Sequence, residues 1–475
     1  MDPEPRQNIP IYVCLAMRRE DFVRMRTYSS RIKKLLLVSP FAIHLEQARV
    51  LESLPSMTLF PRLRDLSVTT NSREFDFVVR TLGTELTTLY TYCSGDPFPT
   101  SAMSSLAETG PHTNLTRLSV LHYPIPLNST SWPPLLKILK SSPRIQHLSM
   151  PDFDPDGHIW HAVGQLNNLE DLTVNLVHSP IPPHITRANF RSLLSLKITT
   201  SNLAVALSFL QQSTFTRLQT LRLLLASARP VRNEQALDFF NALASACSHH
   251  SLAALKIVDD ESDQATVLGS AVDFVRPAVL RPLLPFRHMK SLEMDLDWSW
   301  DLDDKLLEDM AHAWPELEEL RLNPNSDWNE TRRITFKGLE VLAAYCPILR
   351  SFGAAIHGTL PSHSPVRREW RSNLAELYVG GSSTVDYLPA VVAAYLSNVY
   401  PSLTSISTHR LQWPNEEQAF NAQMWAEVMS IFPTMVAVRE EERIAMNSVV
   451  EDIMATEERS LLTMSLLRSE DTRTM

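Results

Sequence analysis

The stretch Phe215-Thr216-Arg217-Leu218-Gln219-Thr220-Leu221-Arg222-Leu223 decides how the chain is read. Its second half sets apolar residues at Leu218, Leu221 and Leu223, an apolar-x-x-apolar-x-apolar cassette. Leu221 and Leu223 are two apart, so in an extended chain they point to one side while the residues between and beside them point to the other. The cassette therefore reads as a short strand with one buried face.

It returns along most of the chain. Good copies include Ile32/Leu35/Leu37, Leu63/Leu66/Val68, Leu115/Leu118/Val120, Leu169/Leu172/Val174, Leu193/Leu196/Ile198, Leu252/Leu255/Ile257, Met289/Leu292/Met294, Leu317/Leu320/Leu322 and Leu374/Leu377/Val379. Leu86/Leu89/Thr91 and Leu403/Ile406/Thr408 are poorer copies, and the total is 14. From Leu35 to Ile406 the spacing averages about 28.5 residues, within the ~20–29-residue period of the L-x-x-L-x-L pattern of leucine-rich repeats. In a chain that is 44% hydrophobic such triplets also arise by chance, and punctuation separates these from chance. Pro61, Pro143, Pro315, Pro347 and Pro401 each stand two residues before the first apolar residue of a cassette. Proline lacks the amide that would continue a helix and pushes the residue before it towards extended geometry. The expected fold is an α/β leucine-rich-repeat solenoid, a horseshoe of about 13–14 irregular repeats with parallel strands on the concave face and helices on the convex face.

Composition narrows the function. A solenoid can exceed the ~250–300 residues at which a single core stops growing, because each repeat packs only on its neighbours; the chain has 475. Glycine is scarce, 11 residues, and the glycine-dependent phosphate cradles and the nucleophile elbow are missing. The net charge of -9 argues against nucleic acid as a partner. Cys14, Cys93, Cys247 and Cys346 lie far apart, without the spacing of a zinc site or a disulfide framework. With no run approaching ~18 apolar residues, no membrane partner is expected either. A reducing compartment, cytoplasm or nucleus, follows.

Three segments are expected: an N-terminal linker or remnant of a preceding segment over 1–27, the solenoid over 28–411 and a C-terminal helical cap with a partly disordered tail over 412–475. Helices are expected between cassettes, among them Trp132 to Lys140, Glu234 to Cys247 and Leu302 to Trp314, the last capped by Asp301. Others are Phe336 to Tyr345 and Tyr387 to Leu396. A further helix, Asn415 to Phe432, is expected to break at Pro433.

No catalytic, cofactor-binding or metal residues are assigned. Asp152-Phe153-Asp154-Pro155-Asp156-Gly157 matches the first half of a calcium loop, but Val163 stands where the bidentate Glu is needed. His158 and His161 lack the zincin spacing. What remains is the set of variable residues beside the inward leucines. Lys197, Arg222, Lys256, Glu293, Asp295, Arg321 and Tyr378 are expected as outward side chains on the concave face, with Trp298 and Trp300 at its rim. Arg, Tyr and Trp are the residues enriched at binding hot spots.

Glu20-Asp21-Phe22, Tyr28 and Arg31-Ile32-Lys33-Lys34-Leu35 resemble the segment that joins an F-box to the first repeat in the mushroom-type fungal F-box/leucine-rich-repeat family. On that resemblance residues 1–27 are a linker or the remnant of a post-F-box segment. The Ala343-Ala344-Tyr345-Cys346-Pro347-Ile348-Leu349 junction resembles the cysteine-containing repeat subfamily typical of F-box proteins, and Val436-Ala437-Val438-Arg439-Glu440-Glu441-Glu442 resembles the closing segment of the fungal group. The resemblance implies a non-catalytic substrate receptor of a Skp/cullin/F-box ubiquitin ligase, with target proteins on the concave face. The Leu-Pro opening of an F-box is not present before residue 20, so a Skp-type adaptor is expected only if an F-box precedes this sequence. The alternative is a scaffold or regulator of another enzyme, similar to the leucine-rich GTPase-activating proteins, with no ligase role.

Overall fold

A computed structural model of the chain describes residues 24, 27–38, 58, 60–69, 82–94, 104, 106–108, 114–123, 132–151, 157–176, 188–226, 232–259, 275–296, 298, 300–324, 333–360, 372–380, 382, 388–408 and 416–471. Two compact units divide it, Met1–Ala271 and Val272–Met475.

In the first unit the cassettes become parallel strands: β1 (Lys34–Val38), β2 (Asp65–Thr69), β3 (Thr88–Ser94), β4 (Arg117–Tyr123), β5 (His147–Met150) and β6 (Asp171–Leu176), followed by β8 (Ser195–Thr200), β10 (Thr220–Leu225) and β11 (Ala254–Asp259). Each pairs with the next in that order. Two short strands, β7 (Ala188–Phe190) and β9 (Ser213–Phe215), form a separate parallel pair. The helices α1 (Trp132–Ser141), α2 (Gly157–Gly164), α3 (Leu203–Gln211) and α4 (Asn233–Ala246) occupy the connections. Register aligns the middle residue of every cassette with the middle residue of the next, the poor copy at Leu89 included. Leu66, Leu89, Leu118, Leu148, Leu172, Leu196, Leu221 and Leu255 thus form one row, none more than 1% exposed. Each buried leucine contributes roughly 1.5–3 kcal/mol, and slipping the register by one residue would turn the whole row to water.

The second unit repeats the plan with β12 (Ser291–Asp295), β13 (Glu319–Leu322), β14 (Ser351–Ala354), β15 (Glu376–Gly380) and β16 (Ser405–Thr408), parallel and paired in sequence. Its helices are α5 (Asp304–Ala313), α6 (Phe336–Tyr345), α7 (Pro389–Val399) and α8 (Glu416–Asp471). Parallel strands joined by helices and stacked on a leucine row are the architecture of an α/β leucine-rich-repeat solenoid.

The prolines have one shared job. Each sits second in a tight turn, and the residue before it accepts an amide from the first residue of the cassette: Leu63 N to Phe60 O, Ile145 N to Ser142 O, Leu317 N to Trp314 O, Leu349 N to Cys346 O and Leu403 N to Tyr400 O, at 3.1–3.3 Å. Proline's fixed φ suits that turn position. The residue before it also closes the preceding helix in three cases, Trp314, Cys346 and Tyr400 donating their amides to Met310, Leu342 and Leu396.

Some expectations change. Asp303, not Asp301, caps α5, accepting from Leu306 N at 2.9 Å; Asp301 instead takes both guanidinium contacts of Arg333, at 2.8 and 2.5 Å. Pro433 does not break the last helix, which continues to Asp471. The helices α2 and α3 had no clear signal in the sequence. The candidate calcium loop at Asp152–Asp156 lies outside the described residues, as do most of residues 1–27. Among the described residues no helix is long and apolar enough to cross a membrane.

Candidate functional site

Because the inward positions of every strand are filled by cassette residues, the intervening positions form a second set of rows facing outward. In the first unit the middle outward row runs through β8, β10 and β11 as Lys197, Arg222 and Lys256, directly opposite one another. Neighbouring parallel strands are ~4.8 Å apart, so three cationic side chains stand side by side. The flanking outward positions on these strands are Ser195, Thr199, Thr220, Leu224, Ala254 and Val258, with no carboxylate among them. Three like charges at this spacing repel. In a chain of net charge -9, the row is a local inversion of sign. Two strands away, His147 Nδ1 meets Asp171 Oδ2 at 2.6 Å, which keeps the neighbouring acid engaged.

The second unit presents a different arrangement. Its middle outward row reads Glu293, Arg321, Gly353, Tyr378, Ser407 across β12 to β16. The guanidinium carbon of Arg321 lies 4.3 Å from the centre of the Tyr378 ring, although β14 runs between their strands. Gly353 permits this: a Cβ there would sit 3.2 Å from Tyr378 Cβ, 3.3 Å from Pro324 Cγ and 3.4 Å from Arg321 Cγ. Arg321 also meets Glu319 at 3.0 Å and Glu376 at 3.7 Å, and donates to Ser351 Oγ at 3.4 Å. The Tyr378 hydroxyl donates to Glu376 at 3.0 Å. Burial, with that hydrogen bond, raises the tyrosine above its usual range against the opposing pull of Arg321. The phenol therefore stays protonated and serves as a donor.

Glu293, Asp295, Arg321, Pro324, Tyr378, Ser407 and Thr408 line a recess of about 290 Å³. The backbone next to its lining residue Pro324 is unusual. Asn323 sits at φ 53° and Gly380 at φ 55°, and Gly380 approaches Pro324 so closely that a Cβ would fall 1.7 Å from the Pro324 carbonyl oxygen. Only a glycine admits that contact. The buried Asn323 amide reaches into the previous repeat, accepting from Leu296 N at 3.0 Å and donating to Trp298 O at 3.0 Å.

Those same bonds move the two tryptophans away from the rim expected for them. Trp298 and Trp300 are 2% and 1% exposed and stack on each other with ring centres 5.8 Å apart. The segment that carries them is pinned under the following repeat by Asn323, and two indoles bury far more apolar area inside than at a solvent edge. The other seven candidates hold outward positions. Gly353, Pro324, Glu319, Glu376, Ser407 and Thr408 join them as residues that the sequence reading passed over. Glu319 and Glu376 were accessible to it, since each lies two residues before an outward candidate and so shares its side of the strand.

Among the described residues no group of three or more His, Cys, Asp or Glu is placed to hold a metal ion. Cys247 and Cys346 are buried, and burial pushes both thiols up to about 12, far from a reactive thiolate.

No family model matches the chain, and no curated protein sequence matches it. Among solved structures it is similar to an internalin from Listeria monocytogenes str. 4b F2365 (12% identity, 82% of this chain and 89% of that one, TM-score 0.37). It is also similar to the TLR13–ssRNA13 complex (15% identity, 70% and 42%, TM-score 0.38). A third similarity is to the Rad7–Elc1 complex of yeast (15% identity, 70% and 86%, TM-score 0.33). At such TM-scores these likenesses carry no argument, and the fold stands on the strand ladder and its leucine row.

Proposed function

We propose that this chain is a recognition protein that captures another protein on the outward faces of its strand ladders and performs no chemistry of its own. The observation that carries the reading is the row Lys197, Arg222, Lys256. The register brings three cationic residues from separate repeats into one line, a positive strip whose charge complements an acidic partner. The Arg321–Tyr378 pair, held by Glu319, Glu376 and the gap at Gly353, supplies a second patch of hot-spot residue types. In the finer form implied by the F-box/leucine-rich-repeat resemblance, the captured protein is a degradation target presented to a ubiquitin ligase.

Affinity purification with mass spectrometry tests the surface. Wild type is compared with Arg222→Glu/Lys256→Glu and with Arg321→Glu, using Glu234→Lys on α4 as a control away from the strands. Loss of the same proteins from the strand-face variants, but not from the control, is expected; an unchanged bound set refutes the chosen face. Recovery of a Skp-type adaptor with wild type and all variants alike supports the ligase form. Stimulated GTP hydrolysis without adaptor binding would favour the enzyme-regulator alternative.

A further inference from the structure

The last helix carries a pattern that its own unit does not use up. Trp425, Phe432, Arg439, Met446 and Ile453 follow at intervals of seven. The body of the second unit covers the first two, each 2% exposed, together with Val428. Beyond them, every side chain from Arg439 to residue 459 is exposed. Within that stretch Met446, Val449, Val450, Ile453 and Met454 are spaced i, i+3, i+4, i+7, i+8, one continuous stripe, and each is between 44% and 64% exposed. Ser448, Glu451, Asp452 and Arg459 occupy the opposite side. An apolar stripe on a charged helix is the mark of a helix that packs on something.

We propose that residues 439–459 pair with the same stretch of a second copy of this chain as an antiparallel two-helix coil. The charges at the two ends of the seam choose the occupant and its direction. At the N-terminal end the seam positions are Arg439 and Arg443, and at the C-terminal end Glu457. A parallel pair would stack arginine on arginine and glutamate on glutamate. An antiparallel pair sets Met446 against the second copy's Val450 and Arg439 against the second copy's Glu457, on both sides of the two-fold axis. In the single chain the arginines hold only solvent-exposed partners in their own helix, Arg439 with Glu442 at 3.2 Å and Arg443 with Glu440 at 2.7 Å. Such pairs are weak and easily exchanged. The seam also continues the interface that Trp425 and Phe432 make with their own unit, so one heptad phase serves both contacts.

Sedimentation equilibrium of the full chain between ~1 and ~100 µM, where a weak pairing changes occupancy, is expected to show mass rising from one chain to two. Val450→Asp with Ile453→Asp abolishes the rise while leaving the far-ultraviolet circular dichroism unchanged, since both side chains already sit in water in the single chain. Glu457→Arg alone weakens the association by about tenfold, and adding Arg439→Glu restores it. A single-chain mass for the wild type at every concentration overturns the proposal, as does a dimer indifferent to the aspartates. A dimer indifferent to Glu457→Arg overturns the antiparallel arrangement. These readouts are independent of partner capture, because none of the substituted residues lies on a strand.

Discussion

Replacing Asn323 with alanine removes a side chain that ties β13's end to the repeat before it, and the structure sets the size of the loss. Leu296 N–H loses its acceptor and Trp298 C=O its donor, in a place where Asn323 is 1% exposed and water cannot replace it. Two orphaned backbone groups at ~1–3 kcal/mol each, with about 1 kcal/mol for holding alanine in the left-handed region, give a destabilisation of about 3–7 kcal/mol. Asn323→Gly loses the same hydrogen bonds but sits at φ 53° without strain, so it should be about 1 kcal/mol more stable than the alanine variant. The order wild type, glycine, alanine is read by urea unfolding followed through tryptophan fluorescence, for which Trp298 and Trp300 are local reporters. An alanine variant within ~1 kcal/mol of wild type would show that the amide is not bridging the repeats. Equal stability of the two variants would remove the conformational half of the reasoning.

Gly380→Ala, with its Cβ 1.7 Å from Pro324 O and φ at 55°, should destabilise far more than Gly353→Ala, whose nearest contacts are 3.2–3.4 Å; thermal unfolding of the two variants orders them. Gly353→Ala should instead weaken partner capture, by displacing Arg321 from Tyr378, with little change in the unfolding midpoint. Cys247 and Cys346, raised to about 12 by burial, hold their protons in the folded chain after the unfolded chain has lost them. Their stability contribution is therefore complete below about pH 9 and lost from there towards 12, by about 1.4 kcal/mol per pH unit per thiol. Urea midpoints at about pH 8 and 10 should differ accordingly, and Cys346→Ala should flatten the slope. Trp425→Ala should cost about 3–5 kcal/mol and release the Ser382 carbonyl, to which the indole donates at 3.1 Å; the early loss shows as a separate low-temperature transition.

Most of the ladder was legible because its signal is local. A cassette needs only the two-residue alternation of a strand, and the same slot of each cassette becomes the same row once repeats stack, so Lys197, Arg222 and Lys256 could be placed together from their offsets. The prolines were legible for the same reason, their constraint acting within four residues. Asn323, by contrast, was not legible, because its role depends on a left-handed backbone just past the cassette and on backbone groups of the previous repeat. Ser382 is a second case, its hydroxyl accepting from Ile356 N of the previous repeat at 2.6 Å. Trp298 and Trp300 misled because their alternation with acids resembles an exposed strand edge, while their burial depends on a side chain in the next repeat.

What the amino-acid sequence alone determined is therefore the repeating strand, its buried leucines and the slot that faces outward, since these follow from backbone geometry within a few residues. Tertiary structure alone decided which outward residues touch. Arg321 reaches Tyr378 only because the repeat between them contributes a glycine, and the tryptophans are buried only because the next repeat clamps the chain beneath it. Contacts of that kind depend on how separate repeats settle against one another, a balance of packing that no single repeat contains.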